Sequence, residues 1–171
     1  MAIAINGSGT ITGISAGGLP DGVITRPDMG YAGAILQVVN ATYSTQVTNN
    51  TTTYSDTGLT ATITPTSSAN KILVLVNQAG MYKSNGNVAN GVWARLLRGS
   101  TTISTFAVTQ GYTNTAIENY AGCASTCYLD SPATTSALTY KTQFRNQVAA
   151  NLVYVQVDST ESTITLLEVA V

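Results

Sequence analysis

The C-terminal stretch Thr163-Ile164-Thr165-Leu166-Leu167-Glu168-Val169-Ala170-Val171 decides the fold class of this chain. Side chains of a strand alternate between two faces, and a strand in a two-layer β protein normally buries only one of them. Here the second face also carries apolar residues, namely Leu167, Val169 and Val171. Because an exposed apolar face of this length promotes aggregation, we expect an identical subunit to cover it around a symmetry axis.

A second stretch, Ile72-Leu73-Val74-Leu75-Val76, is likewise apolar on both faces. In an antiparallel sandwich this pattern places a strand centrally or against another subunit. The natural neighbour of this strand is the C-terminal strand. The residues predicted for the subunit interface are Ile72, Val74, Val76, Leu166, Leu167, Val169 and Val171.

The remaining sequence from Gly33 onward predicts an all-β domain. The 28 threonines of the whole chain favour strands, and from Gly33 onward turn residues separate about ten strand candidates with no 3.6-residue periodicity. The candidates span residues 34–40, 42–48, 59–64, 71–79, 91–97, 101–109, 120–129, 138–145, 152–157 and 163–171. The 171 residues suffice for one domain of this kind.

Charge and hydropathy exclude several classes of partner. The formal net charge is -1, and no run of Lys or Arg offers a footprint for nucleic acid or an anionic membrane. No stretch approaches the roughly 18 apolar residues of a membrane helix, so membrane insertion is not expected. The N-terminus lacks a basic region followed by an apolar one, so secretion by the usual signal is not expected either.

The chemistry needed by an enzyme or a metal site is sparse. Without histidine there is no imidazole base, and the eight acidic residues are scattered, with only Asp158 and Glu161 close together in a turn. On a strand, Cys123 and Cys127 would stand about 13 Å apart, too far for a disulfide. We interpret both as small buried residues on one strand face. We therefore expect no enzymatic activity, no metal and no cofactor.

Residues 1–30 differ from the rest in being rich in glycine and poor in apolar side chains. Such a segment cannot form a core alone. We interpret it as an extended attachment or stalk segment, with a flexible leader held by lattice contacts as the alternative. Its candidate anchoring residues are Ile3, Ile5, Ile11, Ile14, Leu19, Val23 and Ile24.

Six short fragments, taken together and in their order along the chain, carry a resemblance to a known family. They are 56–65, 68–74, 95–101, 128–132, 140–145 and 165–168, with sequences such as DTGLTATITP and YKTQFR. Residues 31–171 resemble the C1q/TNF-like jelly-roll heads of bacteriophage fibre proteins, especially those of phages that infect cyanobacteria and other marine bacteria. Residues 13–22 are similar to the Gly-rich stretches that precede such heads. The resemblance implies a homotrimer of ten-stranded jelly rolls with the C-terminal strand near the threefold axis.

The resemblance further implies a virion structural protein, assembled in the cytoplasm of the bacterial host. We expect a short trimeric tail fibre or fibre-like appendage, fastened through residues 1–30 to another virion protein of the tail, baseplate or capsid. Long tail fibres carry hundreds of shaft residues, which this chain lacks. A capsid decoration (cement) or head-fibre protein, anchored to the shell by the same segment, is therefore the alternative.

A host-attachment role would need a surface that recognises glycans. Aromatic rings stack on sugar faces while amides and hydroxyls bind their hydroxyl groups. The candidates are Tyr82, Asn85, Asn87, Tyr112 and Asn114. We interpret Trp93 as a core or interface residue, and Arg95 and Arg98 either as inter-subunit hydrogen-bond donors or as solvated rim charges.

Overall fold

The computed structural model of the protein describes residues 32–84, 86, 88–116, 119–149 and 151–171. The described chain is all-β with antiparallel sheets, as the sequence predicted. The strands are β1 Ile35–Tyr43, β2 Val47–Asn49, β3 Ser55–Ile63, β4 Lys71–Lys83, β5 Val92–Arg98, β6 Thr101–Gln110, β7 Tyr120–Asp130, β8 Leu138–Asn146, β9 Val153–Val155 and β10 Ser162–Val169. A 3-10 turn, Val157–Ser159, precedes β10.

The strands form two sheets that pack as a sandwich. The first sheet has the order β1-β10-β4-β9-β2, and β7 also pairs with β4. The second sheet has the order β3-β8-β5-β6. The 13-residue strand β4 links the parts of the first sheet, because Lys71–Asn77 pairs with β10 while its far end, Tyr82 and Lys83, pairs with β9.

Strand β3 shows how local sequence produces this architecture. Its residues Leu59, Ala61 and Ile63 are buried while the threonines between them are exposed, which is the pattern of a strand with one wet face. The strand bulges at Gly58, whose φ of 89° suits glycine alone. A Cβ atom at this position would lie 2.2 Å from Cε1 of Tyr43, so glycine also permits this close approach to β1.

The core between the sheets consists of two apolar clusters. One is formed by Leu59, Ala61, Ile63, Ile72, Val74, Val76, Leu96, Tyr140, Ile164 and Leu166, and the other by Met81, Val92, Ala94, Ala107, Phe144, Val153 and Val155. Four residues predicted for the subunit interface, Ile72, Val74, Val76 and Leu166, thus lie inside the subunit, each with at most 3% of its surface exposed. This part of the interface prediction is wrong, since side chains that fill the subunit's own core cannot reach a partner.

A buried polar bridge crosses the core. The Thr142 hydroxyl donates to Oε1 of Gln78 (2.8 Å) and lies 2.6 Å from the hydroxyl of Thr57. On the other side, Nε2 of Gln78 donates to the Ser162 hydroxyl (2.9 Å). The bridge thereby connects β3 and β8 of the second sheet with β4 and β10 of the first. Because buried hydrogen bonds need defined partners, it fixes the relative position of the two sheets.

Several strand boundaries differ from the sequence prediction; β3, for example, begins at Ser55 and not at residue 59, and β9 is confined to Val153–Val155. The predicted strand 42–48 is not continuous, since β1 runs on to Tyr43 and β2 starts at Val47. Strand β4 continues past Gly80, because this glycine (φ 57°) lies where the register with β7 shifts and does not end the strand. At the C-terminus β10 ends at Val169, although the Ala170 amide still donates to the Ala34 carbonyl (2.9 Å).

Candidate functional site: the outer face of the first sheet

The outer face of the first sheet is formed by the side chains of β1, β10, β4 and β7 that point away from the core. The strand pairing aligns Val38 with Leu167, Leu167 with Leu73, and Leu73 with Leu129. Residues directly opposite in antiparallel strands share a face. These four side chains therefore form an apolar ridge across four strands, about 14 Å wide at the usual strand spacing.

The ridge is accessible in the single subunit. Val38 is 58% exposed and Leu129 is 51% exposed, while Leu167 and Leu73 are half-buried. Leu75 lies in the next row along β4 and is 39% exposed. Single exposed apolar residues are ordinary, whereas a continuous row of them on a sheet is less common on the free surface of a monomer.

Two residues predicted for the subunit interface, Leu167 and Val169, lie on this outer face, and both are half-buried. A third, Val171, follows β10 and is 67% exposed. Sequence reasoning missed Val38, Leu73 and Leu129. The register that joins them to Leu167 pairs residues distant in sequence, and no local pattern reveals such a register.

The two outer faces of the sandwich differ sharply in charge. On the outer face of the first sheet, across the fully described strands β1, β10, β4 and β7, Lys71 is the one charged side chain, and it lies at the edge. The outer face of the second sheet carries Asp56, Arg95, Lys141 and Arg145. Charged residues are also depleted at the cores of protein interfaces.

The cysteines also lie on the outer face of the first sheet. Cys123 and Cys127 are both exposed free thiols on β7, so the prediction that they are buried is wrong. The physical reason is the alternation of side chains along β7. The even-numbered residues Gly122, Ala124, Thr126 and Tyr128 face the core, so the two cysteines at odd-numbered positions face outward. Cys127 pairs with Leu75, which places its thiol beside the ridge.

Hydrogen bonds to the carboxylate of Glu168 fix the C-terminal end of β10. Although this residue belongs to β10, its side chain points inward and is fully buried. Oε1 accepts hydrogen bonds from Asn70 (Nδ2, 2.6 Å) and from Thr66 (amide 2.6 Å, hydroxyl 2.8 Å), and Oε2 accepts one from Gln37 (Nε2, 2.6 Å). Burial raises the pKa of this carboxyl, but the bonds from Asn70, Gln37 and Thr66 outweigh burial and hold the pKa below its ordinary value.

A second buried carboxylate fastens β7 to the second sheet. Asp130 accepts two hydrogen bonds from Nη1 of Arg98 (2.7 and 2.8 Å) and one from the Tyr140 hydroxyl (2.6 Å). Burial raises the pKa of Tyr140 well above its ordinary value, and the adjacent Asp130 raises it further. Arg98 is therefore paired within its own subunit, which neither expectation for it, an inter-subunit hydrogen-bond donor or a solvated rim charge, describes.

The residues predicted to bind glycan lie on loops and strand ends, and the structure describes three of them. Tyr112 is 49% exposed and its hydroxyl donates to Oδ1 of Asn114 (2.8 Å), so these two form one unit. The ring of Tyr82 instead packs edge-on against Tyr154, with centroids 5.3 Å apart. Asn85 and Asn87 lie outside the described residues.

A buried lysine positions the loop that carries Tyr112 and Asn114. Lys83 ends β4 with no exposed surface, and its Nζ donates to the Thr113 hydroxyl and to the Thr115 carbonyl (2.8 Å). Sequence reasoning did not single out Lys83. These bonds hold the exposed Tyr112–Asn114 unit at a defined place at the end of the sandwich.

The candidate anchoring residues, Ile3, Ile5, Ile11, Ile14, Leu19, Val23 and Ile24, lie outside the described residues. In the part of the chain that the structure describes, no helix is long and apolar enough to cross a membrane. Within the same residues, no group of three or more Cys, Asp or Glu side chains could hold a metal ion. Comparison with protein-family models and with curated proteins finds no match.

Proposed function

We propose that this chain is a non-enzymatic structural protein of a bacteriophage virion, and that its β-sandwich is a C1q/TNF-like jelly roll that forms a homotrimer. The observation that carries the proposal is the apolar ridge Val38–Leu167–Leu73–Leu129 on the sheet face that bears almost no charge. The ridge includes the C-terminal strand, for which the resemblance implies a place near the threefold axis.

The order of strand pairing supports the jelly roll. Strand β1 pairs with β10, β2 with β9, β3 with β8, β4 with β7 and β5 with β6. Each pair encloses the next, so the chain is one long antiparallel hairpin folded into two sheets. Jelly rolls arrange two sheets of antiparallel strands in this way.

The faces of β4 and β10 that the subunit leaves uncovered support an oligomer. Residues of β4 and β10 are apolar on both faces, and the sandwich covers one face only, with Ile72, Val74 and Leu166 on the covered side. Leu73 and Leu167 remain on the outer side, beside the 58% exposed Val38. Covering the ridge with sister subunits removes this apolar surface from water, at a gain of roughly 25 cal/mol per Å².

In this proposal the protein is a short tail fibre or fibre-like appendage. Residues 1–30 fasten the trimer to a tail, baseplate or capsid protein, and the far end of the head meets the host surface. The Tyr112–Asn114 unit, held by Lys83, offers an exposed ring and an amide for a host glycan.

Deleting residues 1–28 tests whether the N-terminal segment attaches the protein to the virion while the β-sandwich alone forms the trimer. We expect the truncated chain to remain a soluble trimer and to be absent from purified virions, as measured by light scattering and by mass spectrometry of the particles. An unfolded or monomeric product, or normal incorporation into virions, would contradict the proposal.

The number of copies per particle separates the appendage from the alternative role of a capsid decoration protein. A few dozen copies or fewer per virion indicate a tail or vertex appendage. Hundreds of copies indicate that the chain decorates the shell and that its N-terminal segment clamps capsid subunits.

A further inference from the structure

The outer face of the second sheet carries stacked arginine and aromatic side chains, which we call the arginine ladder: Trp93, Arg145, Tyr54 and Arg95. The guanidinium carbon of Arg145 lies 4.1 Å from the centroid of the Trp93 ring and 5.4 Å from that of Tyr54. Arg95 lies 3.9 Å from the Tyr54 centroid. Cations and rings therefore alternate along the ladder, and all four side chains are half-buried.

Hydrogen bonds connect Arg95 of the ladder to neighbouring side chains across the sheet. Nε and Nη2 of Arg95 donate to Oε1 of Gln143 (3.0 and 2.6 Å), and Nε2 of Gln143 donates to Asp56 (2.7 Å). Asp56 also accepts a hydrogen bond from Lys141 (2.9 Å). Since stacking and hydrogen bonding already fix the guanidinium groups, a ligand would lose little side-chain entropy on binding them.

The ladder leaves a local excess of positive charge in a chain whose formal net charge is -1. Lys141 is paired with Asp56. Burial raises the pKa of Asp56, but hydrogen bonds from Lys141 and Gln143 and the charge of Lys141 bring it below its ordinary value, so Asp56 stays ionised. Across the described residues no carboxylate forms an ion pair with Arg95 or Arg145. The ladder thus offers two fixed guanidinium groups to an anion.

We propose that the arginine ladder is a binding surface for a carbohydrate polymer that carries carboxylate groups. Guanidinium groups bind carboxylates through N–H donors, and a ligand would use those not already engaged by Gln143 (Nε and Nη2 of Arg95) or by the Asn146 carbonyl (Nη1 of Arg145, 2.9 Å). Farther along the same sheet, Thr62 of β3 and Thr139 of β8 are exposed and joined by a hydroxyl hydrogen bond of 2.9 Å. The setting on a host surface rests on the proposed function, whereas binding itself is tested on the isolated protein.

The geometry favours a polysaccharide over an acidic protein. Protein interfaces concentrate their binding energy in desolvated apolar pockets, and the ladder is an open, half-exposed sheet face. A pocket of about 200 Å³ lined by Asp56, Gly58, Leu59, Thr60 and Lys141 opens on the same face. It is smaller than the roughly 300–1,000 Å³ sites that enclose drug-sized ligands, so this face has no deep pocket for a whole small molecule there.

The test measures binding of the full chain to three probes of defined chemistry: polygalacturonate, the same polymer with its carboxylates methyl-esterified, and polyglutamate. We expect binding to polygalacturonate that weakens as salt rises, and at least tenfold weaker binding to the ester and to polyglutamate. Equal affinity for polyglutamate would overturn the assignment to carbohydrate. Absence of binding at millimolar galacturonate would overturn the site altogether.

Matched variants locate the site. Arg145→Gln should weaken binding to polygalacturonate at least tenfold, whereas Lys71→Gln, which removes the same charge from the first sheet, should change it less than twofold. Arg95→Lys retains the charge but loses the stacking on Tyr54 and the paired bonds to Gln143 that fix the side chain, so we expect an intermediate loss. Equal losses for Arg145→Gln and Lys71→Gln would contradict the proposal. A monomer that binds normally would contradict the trimer and leave the ladder assignment intact.

Discussion

Replacing Val38 with aspartate should separate the proposed trimer without unfolding the subunit. Val38 is 58% exposed in the single chain, so the sandwich itself gains little from it. Fully burying a valine side chain contributes roughly 1.5–2 kcal/mol. About 1 kcal/mol per subunit therefore remains for burial against a sister chain, and Val38→Asp removes it.

The carboxylate introduced by the substitution costs more than the lost apolar contact. An unpaired charge held in a dry interface costs at least about 3 kcal/mol. Together these give roughly 4 kcal/mol per subunit and about 12 kcal/mol per trimer. At about 1.4 kcal/mol per factor of ten, and because trimer dissociation depends on the square of subunit concentration, the midpoint concentration should rise by roughly four orders of magnitude.

Sedimentation equilibrium measures this shift, and Val108→Asp is the matched control. Val108 is 52% exposed on β6 of the second sheet, so the same chemical change is made at nearly the same exposure on the other face. We expect the Val38 variant to be monomeric at micromolar concentration and the Val108 variant to remain trimeric. A trimeric Val38 variant, or two monomeric variants, would refute the assignment of the ridge.

Three further predictions concern Glu168, Gly58 and Cys127. Glu168→Gln should lower the free energy of unfolding by about 2–4 kcal/mol at pH 7, because an amide cannot accept all the hydrogen bonds of the carboxylate. Since the pKa of Glu168 is lowered in the folded state, its contribution is present above its ordinary value of 4.5 and is lost as pH falls below it. Urea unfolding at fixed protein concentration should thus show a smaller difference between the two proteins at pH 3.5, and a difference independent of pH would contradict this role. Gly58→Ala should destabilise by roughly 2–4 kcal/mol, because the added Cβ meets Tyr43 in a left-handed backbone conformation. Gly99→Ala, with φ 58° and open space around it, should cost only about 1 kcal/mol, and equal melting temperatures of the two variants would show that the contact with Tyr43 is unimportant. Cys127 should react slowly with a thiol reagent in the trimer and rapidly in the Val38→Asp monomer, and equal rates would place it outside the interface.

Much of the fold could be predicted from local patterns. The alternation of Leu59, Ala61 and Ile63 with threonine is visible in the sequence and matches the buried face of β3, because each inward position is apolar and each outward one polar. In β4 and β10 the pattern is apolar on both faces and does not say which face meets the core. The interface prediction therefore included Ile72 and Leu166, which the subunit buries itself.

The parts that could not be predicted depend on partners distant in sequence. The partners of Glu168 include Gln37, which is 131 residues away, so no local pattern shows that this carboxylate is buried. The arginine ladder is equally non-local, because Arg145 on β8 stacks on Trp93 of β5. From the sequence, Trp93 is expected in the core or at an interface, and the structure places it half-buried on the outer face under that arginine.

The mass of the purified chain in solution tests the central claim most directly. Light scattering coupled to gel filtration should give three times the chain mass of 17.7 kDa at micromolar concentration, and hydrogen exchange should show protection of Leu73 and Leu167 beyond that of the Val38→Asp monomer. A stable species of 17.7 kDa, with the ridge open to solvent, would contradict the trimer and the role proposed for the outer face of the first sheet.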